Sequence, residues 1–491
     1  MSLKSSNIRN NFGTSSIKHL IAIVFIIIYC SISFVNHYSY RTYALDLGLF
    51  NQSIWNYANF QNANYTIANE LYTCQLGDHF SLYFILISPF YWLFGSYTLL
   101  IFQIVSIIFG GYGVYQYAKL KYENNEVIPL LFLLQFYGIY GIYSALSYDY
   151  HDNVVAAMFV PWFIYYFESK KKLKTVLFFL LILISKENMA LWLFFICLGI
   201  VILNLKNKKQ LLFSSLLGLL ALVYFIAVIK YVLPTINGKH GYVHLSYSVL
   251  GDNPLKTFIS NPLQLIKSFF CNHLSDHYFD GIKEETFYLF LFSGGVLLFF
   301  RPAYLIMLIP IFAQKMFSDD PGKWGMNGHY SVEFAPILTL GAISAISYFR
   351  SNFKLTMGIV LILILFTYKC NYDKYNERTS LNYSKLNSQF LSEAHYKSAY
   401  DVNAINEAIK LLPSEAKISA TSVLLPHIPN HKFIYQYPVN KDANCFFLLE
   451  HPEIFYLFSQ QDLDNQLSIL RTDSNWISLY DKNGVCLFTR K

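Results

Sequence analysis

The chain has 491 residues, 54% of them hydrophobic, 18% aromatic and only 14% charged, with a formal net charge of +7. Apolar runs such as "LLFSSLLGLLALVYFIAV" and "TMGIVLILILFTY" recur through most of it, which excludes a soluble globular protein and implies a polytopic helical membrane protein. The positive balance does not point to nucleic acid, because the lysines cluster in short loops between apolar runs, where they orient helices.

The first apolar run, "IKHLIAIVFIIIYCSISFV", is followed by no A-x-A-like cleavage site and reads as a retained helix. Basic clusters stand at Lys4/Arg9/Lys18, Lys119/Lys121, Lys170–Lys172 with Lys174, and Lys206/Lys208/Lys209, and later at Arg301 and Arg350/Lys354. Such clusters favour the cytoplasm, so neighbouring clusters are separated by an even number of crossings. Residues 20–35 then lead outward and 97–118 return. Between them, 36–96 form a large outer loop. Residues 80–94, broken at Pro89 and closed by Gly95-Ser96, are expected as a helix lying in the outer interface. Residues 127–146 go out and 153–168 come back, which leaves "SYDYHDN" (147–153) as a short outer loop.

Between "SKKKLKT" and "LKNKKQ" the parity is again even, yet the intervening apolar stretch is too short for two full spans. Its arms of about 11 and 16 residues reach roughly 17 and 24 Å, against a hydrocarbon core of about 30 Å. The turn 186–188, Lys186-Glu187-Asn188, is therefore expected below the outer surface, either at the floor of an outward-opening cavity or as an ion pair capping the hairpin.

Residues 211–232 lead out to a second long outer loop, 234–285. Spans near 287–300, 303–316, 331–349 and 355–369 complete about eleven crossings with the N-terminus inside. The boundary expected from the change of composition separates a transmembrane domain, 1–370, from a small extracytoplasmic α/β domain, 371–491. In the latter, "DVNAINEAIKLLPSEAKISATSVLLPHIPNHKFIYQYP" reads as helix, strand, turn, strand. "CFFLLE", "NWISLYD" and "VCLFTR" read as further strands, with "QDLDNQLSILR" as a helix. Seven cysteines lack CxxC or CxxH spacing; Cys445 and Cys486 either pair or are two free buried thiols. There is no internal repeat, no P-loop and no GxSxG.

The outer side collects Asp46, Asp78-His79, Asp149, His151, Asp152, Lys186, Glu187, His329, Tyr330 and Glu333, all of which can line one cavity. Each has a plainer reading: Asp46 as the cap of the following helix, Asp149 and Asp152 as loop acids, His79 and His329 as structural imidazoles. Their convergence on one side of an apolar protein carries the functional expectation. A carboxylate can take a proton from a hydroxyl acceptor, two carboxylates can hold Mg or Mn, and Lys or His can stabilise a phosphate. Aromatic side chains suit sugar rings and the membrane interface.

A first-loop acid, an interfacial helix, a second acidic loop and a short "KE" hairpin, in that order, resemble the GT-C fold of membrane glycosyltransferases. More narrowly, "DLGLFNQSIW", "GDHFSLYFILISPFYWLF", "YDYHDN", "LISKENMALW", "GHYSVEFAP" and "SATSVLLPHIPNHKFIYQYP" resemble the predicted membrane proteins of domain of unknown function 2079. The resemblance implies a multi-pass protein of the bacterial cytoplasmic membrane that moves a sugar from a polyprenyl-phosphate donor. The acceptor would be a glycan, lipid or protein at the outer face. It maps the general base onto Asp46 and the second acid onto Asp149, with His151 beside it. Lys186 would meet the donor phosphate, Glu187 would fix Lys186, and His79, His329 and Tyr330 would line the cavity. A metal would fall to Asp46 and Asp149, yet Asp149 and Asp152 are separated by Tyr150-His151, so there is no plain DxD. The alternative class is a lipid or solute transporter, or a scaffold presenting its C-terminal domain.

Overall fold

A computed structural model describes residues 6–67, 74–123, 125–237, 246–251, 253–376, 384–439, 442–455 and 457–491. Lys4 of the first basic cluster and parts of the two long outer loops, 68–73, 238–245 and 252, lie outside the described residues. The described residues are mainly helical, with one small sheet among them near the C-terminus.

Among the described residues, four helices are long and apolar enough to cross a membrane: Ser16–Tyr38, Tyr83–Lys121, Lys208–Asn237 and Phe353–Tyr375. The bent pair Val127–Tyr137 and Tyr140–Leu146 makes a fifth if it counts as one span. The other expected crossings are shorter or broken. The one near 303–316 consists of Pro302–Met307 and Ile309–Met316, parted where Pro310 supplies no N–H to the preceding turn. The one near 287–300 breaks at Gly294, whose φ of +123° no helix accommodates. The expected interfacial helix over 80–94 is likewise jointed: Tyr83–Ile87, a tight turn at Ser88–Phe90 containing Pro89, and Tyr91–Phe94.

The chain divides into two compact units. The first comprises Met1–Cys30 and Gln103–Ser388. Its interior is apolar and aromatic, with Trp192, Tyr117, Tyr137, Tyr304, Phe132 and Phe136 fully buried. Gly141 permits an unusually close helix-to-loop approach, since a Cβ there would stand 2.5 Å from the Ser331 carbonyl oxygen.

The second unit comprises Ser31–Phe102 and Gln389–Lys491. The first outer loop, assigned by sequence to the domain 1–370, is thus packed with the C-terminal segment. Asn51 Nδ2 donates to the Pro426 carbonyl at 3.0 Å, and Thr66 Oγ1 to the Ile434 carbonyl at 2.8 Å. A sheet of five strands has the order β2-β1-β3-β5-β4, where β1 is Lys417–Ala420, β2 Phe433–Gln436, β3 Cys445–Leu449, β4 Trp476–Lys482 and β5 Val485–Arg490. β1 pairs parallel with β2 and β3, and β5 antiparallel with β3 and β4. The strands and the helices Val402–Lys410 and Gln460–Thr472 stand where the sequence pattern put them. Alternation sends Phe446, Leu448, Cys486 and Phe488 to one face, where they meet Leu463, Leu467 and Leu470 of the second helix. Cys445 and Cys486 are both free. Cys486 sits opposite Leu448, three residues along β3 from Cys445. That is about 10 Å and on the other face of the sheet, too far for a disulfide.

Candidate active site

In the first unit the loop 147–153 is strained at its acid. Asp149 has φ +51°, a region that non-glycine residues seldom enter. A buried amide holds it there. Gln103 Nε2 donates to the Asp149 carbonyl at 2.9 Å, and Gln103 Oε1 accepts from the His151 N–H at 2.9 Å. Asp152 opens the helix Asp152–Glu168, where a carboxylate is favoured, and its Oδ1 accepts from the Tyr150 hydroxyl at 2.7 Å. The His151 ring stacks on His329, with centroids 3.5 Å apart. Asn153 Nδ2 donates to the His329 carbonyl at 3.1 Å and to Glu333 Oε1 at 2.7 Å. Tyr330 packs on His329 at 4.1 Å. Two segments far apart in sequence thus form one polar cluster, with Asp149, His151, Asp152, Asn153, His329 and Glu333 all buried.

The segment 318–333 is held in the interior by a lysine that the sequence did not mark. Lys315 Nζ donates to the carbonyls of Lys323 and Gly325, each at 2.7 Å, and to Ser331 Oγ at 2.9 Å. The Tyr140 hydroxyl donates to Asn327 Oδ1 at 3.2 Å, and Trp324 Nε1 to the Ser318 carbonyl at 2.8 Å. Without such donors a loop could not bury its carbonyls.

The helical hairpin is present, with arms Lys172–Leu183 and Glu187–Leu203. Lys186, in extended backbone, and Glu187, the first helical residue, are both buried. They do not pair as expected, because adjacent residues at a helix start project apart. Lys186 lies instead within electrostatic reach of Glu333 and Lys323, and Glu187 within reach of Tyr224. The Lys186 ammonium, on a residue only 8% exposed, makes no hydrogen bond or ion pair with any described residue. Glu333 Oε2 and Asn153 Oδ1 are buried acceptors without a hydrogen-bond partner among the described residues. Burial holds the Lys323 ammonium below the ordinary lysine range; Asp320 opposes this and Lys186 adds to it.

Asp46 and His79 belong to the second unit. Asp46 is half-buried at φ +70° and ψ −97°, again an unusual backbone for a non-glycine residue. The turn is tied by Gly48 N–H to the Tyr43 carbonyl at 3.0 Å and by Ala44 N–H to Ser422 Oγ at 3.1 Å. Gly48, just before the helix Leu49–Ala58, already has helical backbone, so the chain turns helical directly after Asp46, where the plainer reading put the start of the helix. The His79 carbonyl accepts from Gln75 Nε2 at 2.9 Å. The tail motif "SATSVLLPHIPNHKFIYQYP" is explained by packing on this loop. His427 stacks on His37 at 4.0 Å, and His37 bonds Thr42 at 2.9 Å and Ser96 at 3.0 Å.

Asp46 and Asp149, the pair to which a metal would fall, belong to different compact units. Among the described residues, three ligating groups come within 4.8 Å of one another at Glu450, Asp481 and Cys486. There the guanidinium of Arg471 already bridges both carboxylates, at 2.5 Å to Glu450 and 2.6 Å to Asp481. Burial and the neighbouring Asp481 carboxylate push the Cys486 thiol up, which disfavours the ligating thiolate.

The fold is similar to that of ArnT from Cupriavidus metallidurans, solved bound to undecaprenyl phosphate, with a TM-score of 0.56. The likeness covers 97% of this chain and 98% of that one at 12% identity, so it speaks for fold and bears out the GT-C resemblance. No curated protein matches in sequence. The family described as "Predicted membrane protein (DUF2079)" matches residues 36–487, and the chain belongs to that family.

Proposed function

We propose that the protein is a membrane glycosyltransferase that transfers a sugar from a polyprenyl-phosphate-linked donor to a glycan, lipid or protein acceptor at the outer face of the membrane. The observation that carries this is Lys186. A buried lysine whose ammonium makes no hydrogen bond or ion pair with a described residue calls for an anion. Beside it stand a second cation, Lys323, and two acceptors awaiting donors, on Glu333 and Asn153. A sugar phosphate offers both complements: phosphate oxygens for the ammonium and hydroxyls for the acceptors. The fold shared with a protein solved with undecaprenyl phosphate supports a lipid carrier for that phosphate.

In this reading Lys186 meets the donor phosphate and stabilises it as it leaves. Asp149 and His151 orient the acceptor, and His329, Tyr330 and His79 line its approach. Asp46 takes the proton of the attacking hydroxyl as general base. An apolar groove in the first unit, walled by Phe258, Leu265, Phe269, Leu305, Phe312 and Phe317, suits a prenyl chain. The arrangement would have about eleven crossings, with the N-terminus cytoplasmic and the C-terminal segment outside.

Full-length protein in nanodiscs, titrated with undecaprenyl phosphate, tests the site. Wild type should be thermally stabilised, and Lys186→Gln should weaken binding about tenfold or more, the scale of one lost charge-assisted hydrogen bond. Equal binding by the variant removes Lys186 from the donor site. In cells, Asp46→Asn should abolish the same surface glycan that a deletion strain loses, at normal protein levels. Donor binding with an unchanged glycan would leave a carrier protein rather than a transferase.

A further inference from the structure

A second cavity, of about 650 Å³, lies in the first unit between the chain turns at 297–301 and 345–349. Its walls are Leu297, Phe300, Ala345, Ile346, Tyr348 and Phe349, and one charged residue, Arg301, stands among them. Three other basic residues of this unit meet acids. Lys119 reaches Glu126 at 3.1 Å, Lys121 pairs with Glu168, and Lys374 reaches Glu285 at 2.7 Å. Arg301 is half-buried and makes no side-chain hydrogen bond or ion pair with any described residue. On the adjoining turn Arg350 and Lys354 are exposed and add to the positive field, with no carboxylate in the cavity wall to offset it.

A half-buried arginine in the wall of an otherwise apolar cavity suits an anion whose remainder is apolar. The planar fork of arginine matches two phosphate oxygens, and basic pockets between membrane helices accept anionic head groups. Tyr348 and Phe349 place aromatic rings beside the same mouth, as is usual where head groups begin. We infer that this cavity is a binding site for an anionic phospholipid of the surrounding bilayer, its phosphate on Arg301 and an acyl chain against Leu297, Ala345 and Phe349. The inference is independent of the glycosyltransferase reading, since neither Lys186 nor any residue assigned to transfer takes part.

The test uses full-length protein in nanodiscs of phosphatidylcholine with a minor fraction of phosphatidylglycerol, followed by lipid extraction after detergent transfer. Wild type should retain phosphatidylglycerol over phosphatidylcholine, and Arg301→Gln should lower that preference about tenfold. Arg301→Lys, which keeps the charge, should preserve most of it. Ala345→Phe, which fills the cavity and spares the guanidinium, should lose retention. An absent preference in wild type, or one unchanged in Arg301→Gln or Ala345→Phe, overturns the inference. Should those variants misfold, photoactivatable phosphatidylglycerol on wild type decides: cross-links at 297–301 and 345–349 support the site, and cross-links confined elsewhere overturn it.

Discussion

His427 shows how a single side chain can tie the fold to pH. The residue is half-buried, yet its Nε2 is enclosed and has no hydrogen-bond partner among the described residues. Its ring lies against His37 and, at 4.2 Å, against Tyr40. Burial holds its imidazole down at about 3, far below the ordinary 6.5. In the window between those values the unfolded chain takes up a proton that the folded chain refuses. Stability is therefore full above the ordinary histidine value and falls as pH drops through the window toward the folded one. Thermal midpoints measured from neutral pH to about pH 5 should decline. His427→Phe, which keeps a ring in the stack, should flatten that decline; an unchanged slope would assign the acid sensitivity to other groups. The two candidate acids make a related point. Asp46 and Asp149 both sit at positive φ, a local cost that the surrounding hydrogen bonds must hold in place, as often occurs where a site needs a fixed carboxylate.

Elements carry the next layer, and here the sequence was legible in part. The hairpin at Lys186 followed from basic flanks and a stretch too short for two spans, both local signals. The C-terminal strands followed from alternation and turn residues. Gln103 and Lys315 were not found, because one polar residue in an apolar run has no period and its partners lie far away. Gln103 acts on residues 46 and 48 positions along the chain. A glutamine inside "LIFQIVS" was the available signal, since polar side chains in membrane helices seek partners. The pairing of Cys445 with Cys486 failed on register, which proximity in sequence does not reveal. The placement of His329 and Glu333 depends on one such long-range contact. The helix Tyr140–Leu146 approaches the Ser331 carbonyl at Gly141, with no room for a methyl group between them. Gly141→Ala should push the segment 325–334 outward, break Asn153 from Glu333 and weaken undecaprenyl phosphate binding, although Gly141 itself is not a proposed donor contact. Because the neighbour is backbone, a loss of about 1–3 kcal/mol in stability is expected as well. Wild-type binding and melting by Gly141→Ala would show that the segment yields freely.

At the scale of the whole molecule, polarity in the membrane decides whether the candidate residues face an outer compartment at all. Apolar content and the fold likeness make the protein membrane-embedded, while the direction of each crossing rests on the lysine parity that also placed the hairpin. The grouping of the first loop with the C-terminal segment was beyond sequence reasoning, since Thr66 and Ile434 are separated by 368 residues. That grouping agrees with the parity, which assigns both segments to the same side. A natural reporter exists in Cys271, exposed in the segment 234–285 that the parity places outside, while Cys197, Cys370, Cys445 and Cys486 are buried. A membrane-impermeant maleimide applied to intact cells should label wild type at Cys271, and Cys271→Ser should lose most of that signal. On the serine background, Leu173→Cys, at the highly exposed basic start of the hairpin's first arm, should react only after the membrane is opened. Labelling of Leu173→Cys from outside would invert the assignment and turn Lys186 toward the cytoplasm, where a donor presented at the outer face could not reach it.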